Sequence, residues 1–173
     1  IYHYKAYEQH RINGDSLSTS TLVGNLAELE NNAGNINKAM EFANLYLNNY
    51  KAFHQSDVLS NVYNVIAVVN QKKGQFEKAN EYNEKSLKIR SEEGVSLHHI
   101  ANNYLIRSEI QQALGNNKAA LDALNIYRTM QDSVFRADRD ERITRLSSEF
   151  EAKYKNLELT HEKTRTEALL YEA

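Results

Sequence analysis

At 173 residues the chain has the length of about one domain, and 41% hydrophobic with 25% charged residues is ordinary globular composition. A formal charge of -2 lacks the basic surplus of a nucleic-acid binder, so no direct nucleic-acid contact is expected. Cysteine is absent, which excludes disulfides, thiolate zinc sites and a cysteine nucleophile. Proline is absent too, where average usage would give about 8 or 9.

With six glycines and eleven tyrosines, this is the composition of an all-α protein of long helices. No stretch approaches the ~20 apolar residues of a membrane-spanning helix. The chain opens at Ile1 and reads as an excised or processed piece, with any membrane segment expected downstream of it.

In chain order, residues 1–13 read as the second helix of a truncated repeat, with Ala6 forty residues before Tyr46. Ser16, Ser56 and Ser96 keep one phase and read as helix N-caps. Gly14 and Gly94 sit where the preceding helices should end. Leu22, Leu26 and Leu29 recur at helical spacing, as do Val62, Ile66 and Val69. Gly34, Gly74 and Gly115 follow at intervals of 40 and 41, each with a small residue five positions later: Ala39, Ala79 and Ala120. Each block therefore reads as two amphipathic helices joined by a glycine turn, giving hairpins at about 16–53, 56–93 and 97–135. One hairpin cannot bury its apolar face alone; stacked hairpins can.

This pattern resembles the tetratricopeptide repeat family. Tyr63 and Tyr104 match its helix A aromatic, with Val23 standing in; Ala27, Ala67 and Ser108 match its small crossing residue. The glycines match its turn, and Ala39, Ala79 and Ala120 its helix B alanine. The resemblance covers about residues 1–135 and implies a right-handed α-solenoid of extended repeats, without the family's terminal proline.

After Phe135 the punctuation stops. Residues 136–173 hold 8 Lys/Arg, 9 Asp/Glu and no glycine. Ile143, Leu146, Phe150, Tyr154 and Leu157 recur at spacing 3, 4, 4, 3, close to a heptad seam, continued weakly by Thr160, Thr164 and Ala168. This segment reads as a capping and coiled-coil-like linker helix starting near residue 137, its first half packed on the last repeat. Asp132-Ser133 reads as a helix break.

The stretch Asp132-Ser133-Val134-Phe135 before a charged helix resembles the junction in membrane-anchored bacterial signalling proteins. There repeats are followed by a coiled coil, a membrane span, and a histidine kinase or DNA-binding output domain. The seam residues are too apolar for a freely solvated helix; with Ile143, Leu146 and Phe150 used in capping the repeats, Tyr154 and Leu157 are left for self-association, and a homodimer through the C-terminal helix is expected. The resemblance implies the extracytoplasmic, periplasmic face of the membrane, with the cytoplasm as the alternative.

Chemistry is scarce. His3, His10, His54, His98, His99 and His161 fall in no dense metal-ligand spacing, and no carboxylate pair, nucleophile or phosphate loop stands out. The expectation is no catalytic residue, no metal and no cofactor. Asparagine is the unusual abundance: 20, of which only Asn156 lies beyond residue 135. Asparagine is a poor helix former, so its use inside helices needs a reason.

The phases that face the concave side in the repeat family give Thr21, Gly24, Glu28, Asn31 and Asn32; then Asn61, Asn64, Val68, Gln71 and Lys72; then Asn102, Leu105, Glu109, Gln112 and Ala113. Of these, Asn61, Asn64, Gln71, Lys72, Asn102, Glu109 and Gln112 are the candidate groove residues, because an amide can both donate to and accept from a peptide backbone. The expected function is a non-catalytic sensor module that binds a peptide or protein and relays its state through the C-terminal helix. The alternatives are a free-standing scaffold and a cytosolic peptide-pheromone receptor.

Overall fold

The computed structural model describes residues 2–53, 55–92 and 97–171, with side-chain surroundings for all of these except 157, 158 and 161–171. Among the described residues every regular element is helical: α1 (Tyr2–Ile12), α2 (Ser16–Asn32), α3 (Ile36–Asn49), a 3-10 turn (Lys51–Phe53), α4 (Ser56–Lys72), α5 (Phe76–Glu92), α6 (Leu97–Ala113) and α7 (Asn117–Tyr171). The protein is all-α. It divides into two compact units, Ile1–Gln131 and Asp132–Ala173.

Within the first unit, α1 to α5 each pack on the next helix, and the alternate helices α2, α4 and α6 also touch. The helix ends explain this folding back. Gly14, Gly34, Gly74 and Gly115 have φ of 72°, 79°, 72° and 79°, the left-handed region that closes a helix. A Cβ on any of the four would meet nothing within 4 Å, so glycine is there for φ alone.

At each turn the residue after glycine donates its N–H five residues back: Asp15 to His10 (3.1 Å), Asn35 to Glu30 (2.8 Å), Gln75 to Asn70 (2.9 Å) and Asn116 to Gln111 (2.9 Å). Side chains repeat the link at three turns. Asn35 Nδ2 donates to Glu30 Oε2 (2.7 Å), Asn116 Nδ2 donates to Gln111 Oε1 (2.9 Å), and His10 Nδ1 stands 3.1 Å from Asp15 Oδ2.

Two expected caps are corrected. Ser16 and Ser56 are the first helical residues, so the cap positions fall one residue earlier. Asp15 caps α2 by accepting from the Ser18 N–H at 3.1 Å. Gln55 makes no cap bond; its Oε1 accepts from Ser20 Oγ (2.8 Å) and Thr21 Oγ1 (3.1 Å), tying the entry of α4 to α2. Gly94 and Ser96 lie outside the described residues.

The core begins where α2, α3 and α4 meet, around Val23, Ala27, Ala39, Ala43, Tyr46, Val62, Val65, Ile66 and Val69. It continues at Ala79, Ile106 and Ile110 between α5 and α6. Ala27, Ala39, Ala67 and Ala79 are fully buried, as their small size at helix crossings requires. Ala120 is only half-buried, and Ala123 on the next turn of α7 is buried instead.

Gly24 is also a crossing residue rather than a groove residue. A Cβ there would lie 2.2 Å from Val58 Cγ1. α1 buries none of its residues; it is held by Tyr4, whose hydroxyl donates to Glu30 Oε1 at 2.6 Å, and by edge-on contacts of Tyr4 and Tyr7 with Phe42.

The expected helix break at Asp132-Ser133 does not occur. Helix α7 runs unbroken from Asn117 to Tyr171, because after Gly115 no glycine or proline remains to end it.

Candidate binding groove

The polar residues of α4, α5 and α6 serve two different purposes. The first is internal. Arg90 on α5 is only 2% exposed, yet its partners are neutral. Its Nε donates to Ser60 Oγ (3.3 Å), one Nη to the His99 carbonyl (2.7 Å) and to Asn103 Oδ1, and the other Nη to Asn61 Oδ1. Ser86 Oγ donates to the Ser60 carbonyl (2.8 Å), and Asn83 Nδ2 to the Asn103 carbonyl (3.1 Å).

Arg90 therefore clamps α4 to α6 through a buried polar layer. Burial pulls its pKa down to about 10, opposed by the charges of Glu28 and Asp57, so it remains protonated at neutral pH. Burial, together with the Arg90 charge, also lowers the His99 pKa. The His98 and His99 rings are tilted 58° to one another, their centres 6.1 Å apart.

The second purpose is a groove of about 610 Å³ crossing α2, α4 and α6. Asn31 and Asn32 line it from α2; Val68, Gln71 and Lys72 from α4; Phe76 from the start of α5; Asn102, Leu105, Ile106 and Glu109 from α6. Gln71 Nε2 donates to Glu109 Oε2 at 2.7 Å, linking the α4 and α6 walls.

Of the candidate groove residues, Gln71, Lys72, Asn102 and Glu109 are thus brought together. Asn61, Asn64 and Gln112 do not line this cavity. Asn61 is committed elsewhere, accepting from Arg90 and donating to Glu28 Oε2 at 3.4 Å. Gln112 is exposed near the end of α6, and Asn64 is half-buried one turn before Val68.

Shared helical phase puts residues on one face; it does not say how far along that face the cavity extends. Phe76 and Ile106 escaped sequence reasoning because the first opens a new helix and the second is also a core residue. In the second unit Tyr154 is 66% exposed, and the Leu157 side chain lies outside the described residues.

Among the described residues no helix is long and apolar enough to cross a membrane, and no group of three or more His, Asp or Glu could hold a metal ion. No protein-family model matches the sequence, and a comparison with characterised proteins returns no relative.

Proposed function

We propose that this chain is a peptide- or protein-binding module of the tetratricopeptide type, a right-handed α-solenoid acting as the non-catalytic sensor of a bacterial signalling protein. The observation that carries the reading is the groove: three successive alternate helices, α2, α4 and α6, contribute amides around an apolar floor. In-phase glycine turns and buried crossing alanines support the repeat assignment. Relay through the C-terminal helix is part of the same proposal, supported by the apolar side chains Ile143, Leu146, Phe150 and Tyr154 that the helix holds in solvent, available to a second copy.

The test is selection of random linear peptides displayed on phage against the immobilised chain. Selected peptides are then measured against the chain carrying Gln71→Ala and Asn102→Ala. A loss of tenfold or more in affinity is expected; unchanged binding would reject the groove as the site.

A further inference from the structure

The groove has a more specific chemistry than a polar surface. Its floor is apolar: Val68, Phe76, Leu105 and Ile106 converge from α4, α5 and α6. Val68 and Phe76 are themselves packed against the buried cluster of Ala79, Ile106 and Ile110, so the floor is anchored before any ligand arrives.

The rim is amide-rich, with Asn31, Asn32, Gln71 and Asn102, and one of these amides is unsatisfied. Asn31 Oδ1 is buried with no donor. Buried acceptors without donors are uncommon and costly, and a ligand that turns this amide into the groove and donates to it relieves that cost. The charged groups of the rim, Lys72 and Glu109, sum to zero, and Glu109 is already held by Gln71.

We infer that the groove takes an extended, uncharged peptide segment carrying one bulky aliphatic or aromatic side chain, which seats on the Val68–Phe76–Leu105–Ile106 floor while its backbone bonds the rim amides. This rests on the groove being the binding site. An extended backbone offers free N–H and C=O groups to asparagine side chains, whereas a helical ligand has used its own internally. A charged side chain seated on the floor would lose water against Val68, Phe76, Leu105 and Ile106, and the opposed rim charges of Lys72 and Glu109 give it no net attraction.

The peptides selected on the immobilised chain test this. They are expected to converge on one bulky apolar residue with uncharged neighbours. Leu105→Ser, which removes part of the floor, and Leu105→Trp, which fills the space above it, should each weaken them tenfold or more. Each variant's unfolding midpoint is measured to confirm that it folds. N-methylation of the peptide amides next to the anchor should weaken binding by a similar factor.

Selected peptides without an apolar anchor, or with a run of charge, would overturn the inference. So would binding that ignores both Leu105 variants or N-methylation but still falls with Gln71→Ala and Asn102→Ala; that result would leave the groove standing. Binding indifferent to all these changes would overturn the inference and the groove together.

Discussion

Residues up to Gln131 and residues from Asp132 onward are both helical, yet they use their apolar side chains in opposite ways. In the first unit the α4 repeat is buried, with Val62, Ile66 and Val69 at most 3% exposed, and of the α2 repeat Leu26 is buried while Leu29 at its edge is 41% exposed. In the second, Ile143, Leu146, Phe150 and Tyr154 repeat almost as regularly and are 54%, 42%, 70% and 66% exposed.

Periodicity identifies a face of a helix. It does not say what covers that face. What separates the two regions is punctuation. Four left-handed glycines fold the first unit back on itself so that helices cover one another, while the unbroken α7 gives the second no neighbour of its own.

The largest test of this contrast is Arg90. Removing it as Arg90→Ala strips donors from Ser60 Oγ, the His99 carbonyl, Asn61 Oδ1 and Asn103 Oδ1, and leaves a cavity in a buried layer. Orphaned acceptors and a large-to-small change together should cost about 3–5 kcal/mol, read by urea denaturation. Arg90→Lys should recover only part of this, since an ammonium cannot fork to several acceptors. A loss below about 1 kcal/mol would mean that α4 and α6 are held together without the clamp.

Next comes Ala67, fully buried on α4. Ala67→Leu forces extra methylenes into a packed crossing and should cost about 1–3 kcal/mol. An unchanged melting temperature would show that the crossing has room for a larger side chain.

These two residues also mark what the sequence made legible. Ala67 was readable through the family resemblance: it stands, like Ala27 and Ser108, where the tetratricopeptide repeat has its small crossing residue. Arg90 was not readable. It lies in a helix rich in Lys, Glu and Asn, and its partners come from residues 60, 61, 99 and 103, so nothing in its neighbourhood distinguishes it from a solvated arginine.

The groove was legible where phase alone decides, at Gln71, Lys72, Asn102 and Glu109. It was illegible where depth along the helix decides, at Asn61, Asn64 and Gln112. The apolar floor was partly hidden because Ile106 serves the core as well. Asp132-Ser133 misled because cap-forming side chains suit a helix end, yet they are tolerated mid-helix when no residue enforces the stop.

A smaller effect is expected at the N-terminal helix, which buries nothing of its own and depends on Tyr4 and Glu30. The bond to the Glu30 carboxylate, with burial, pushes the Tyr4 hydroxyl up to about 12. Bonds from Tyr4 and then Asn35 lower the Glu30 pKa.

The signs give a window. The contribution of Glu30 is present above its unfolded value, roughly 4.3, and is lost as pH falls through the depressed folded value. That of Tyr4 is present below about 10 and is lost as pH rises through about 12. Between these limits Tyr4→Phe should loosen α1 by about 1–2 kcal/mol, seen as faster hydrogen exchange of its amides. Unaltered exchange would place the hold on α1 in the Phe42 contacts and the packing of Tyr7 against the core.

The smallest expected effect falls in the second unit and is the sharpest check of the comparison. Phe150 is 70% exposed, so Phe150→Ser removes almost no buried area and should change the melting temperature negligibly, within about 0.5 kcal/mol. The same substitution should weaken any concentration-dependent self-association, because Phe150, 70% exposed, is the most exposed of the side chains Ile143, Leu146, Phe150 and Tyr154 on that face. Sedimentation of the chain and its Phe150→Ser variant at high micromolar concentration reads this directly. Dimer in the first and monomer in the second would assign the face to a second copy. Monomer in both would withdraw the self-association reading and leave the groove untouched. A melting temperature lowered by several degrees would instead mean that Phe150 is covered in solution, and the contrast between the two regions would fail.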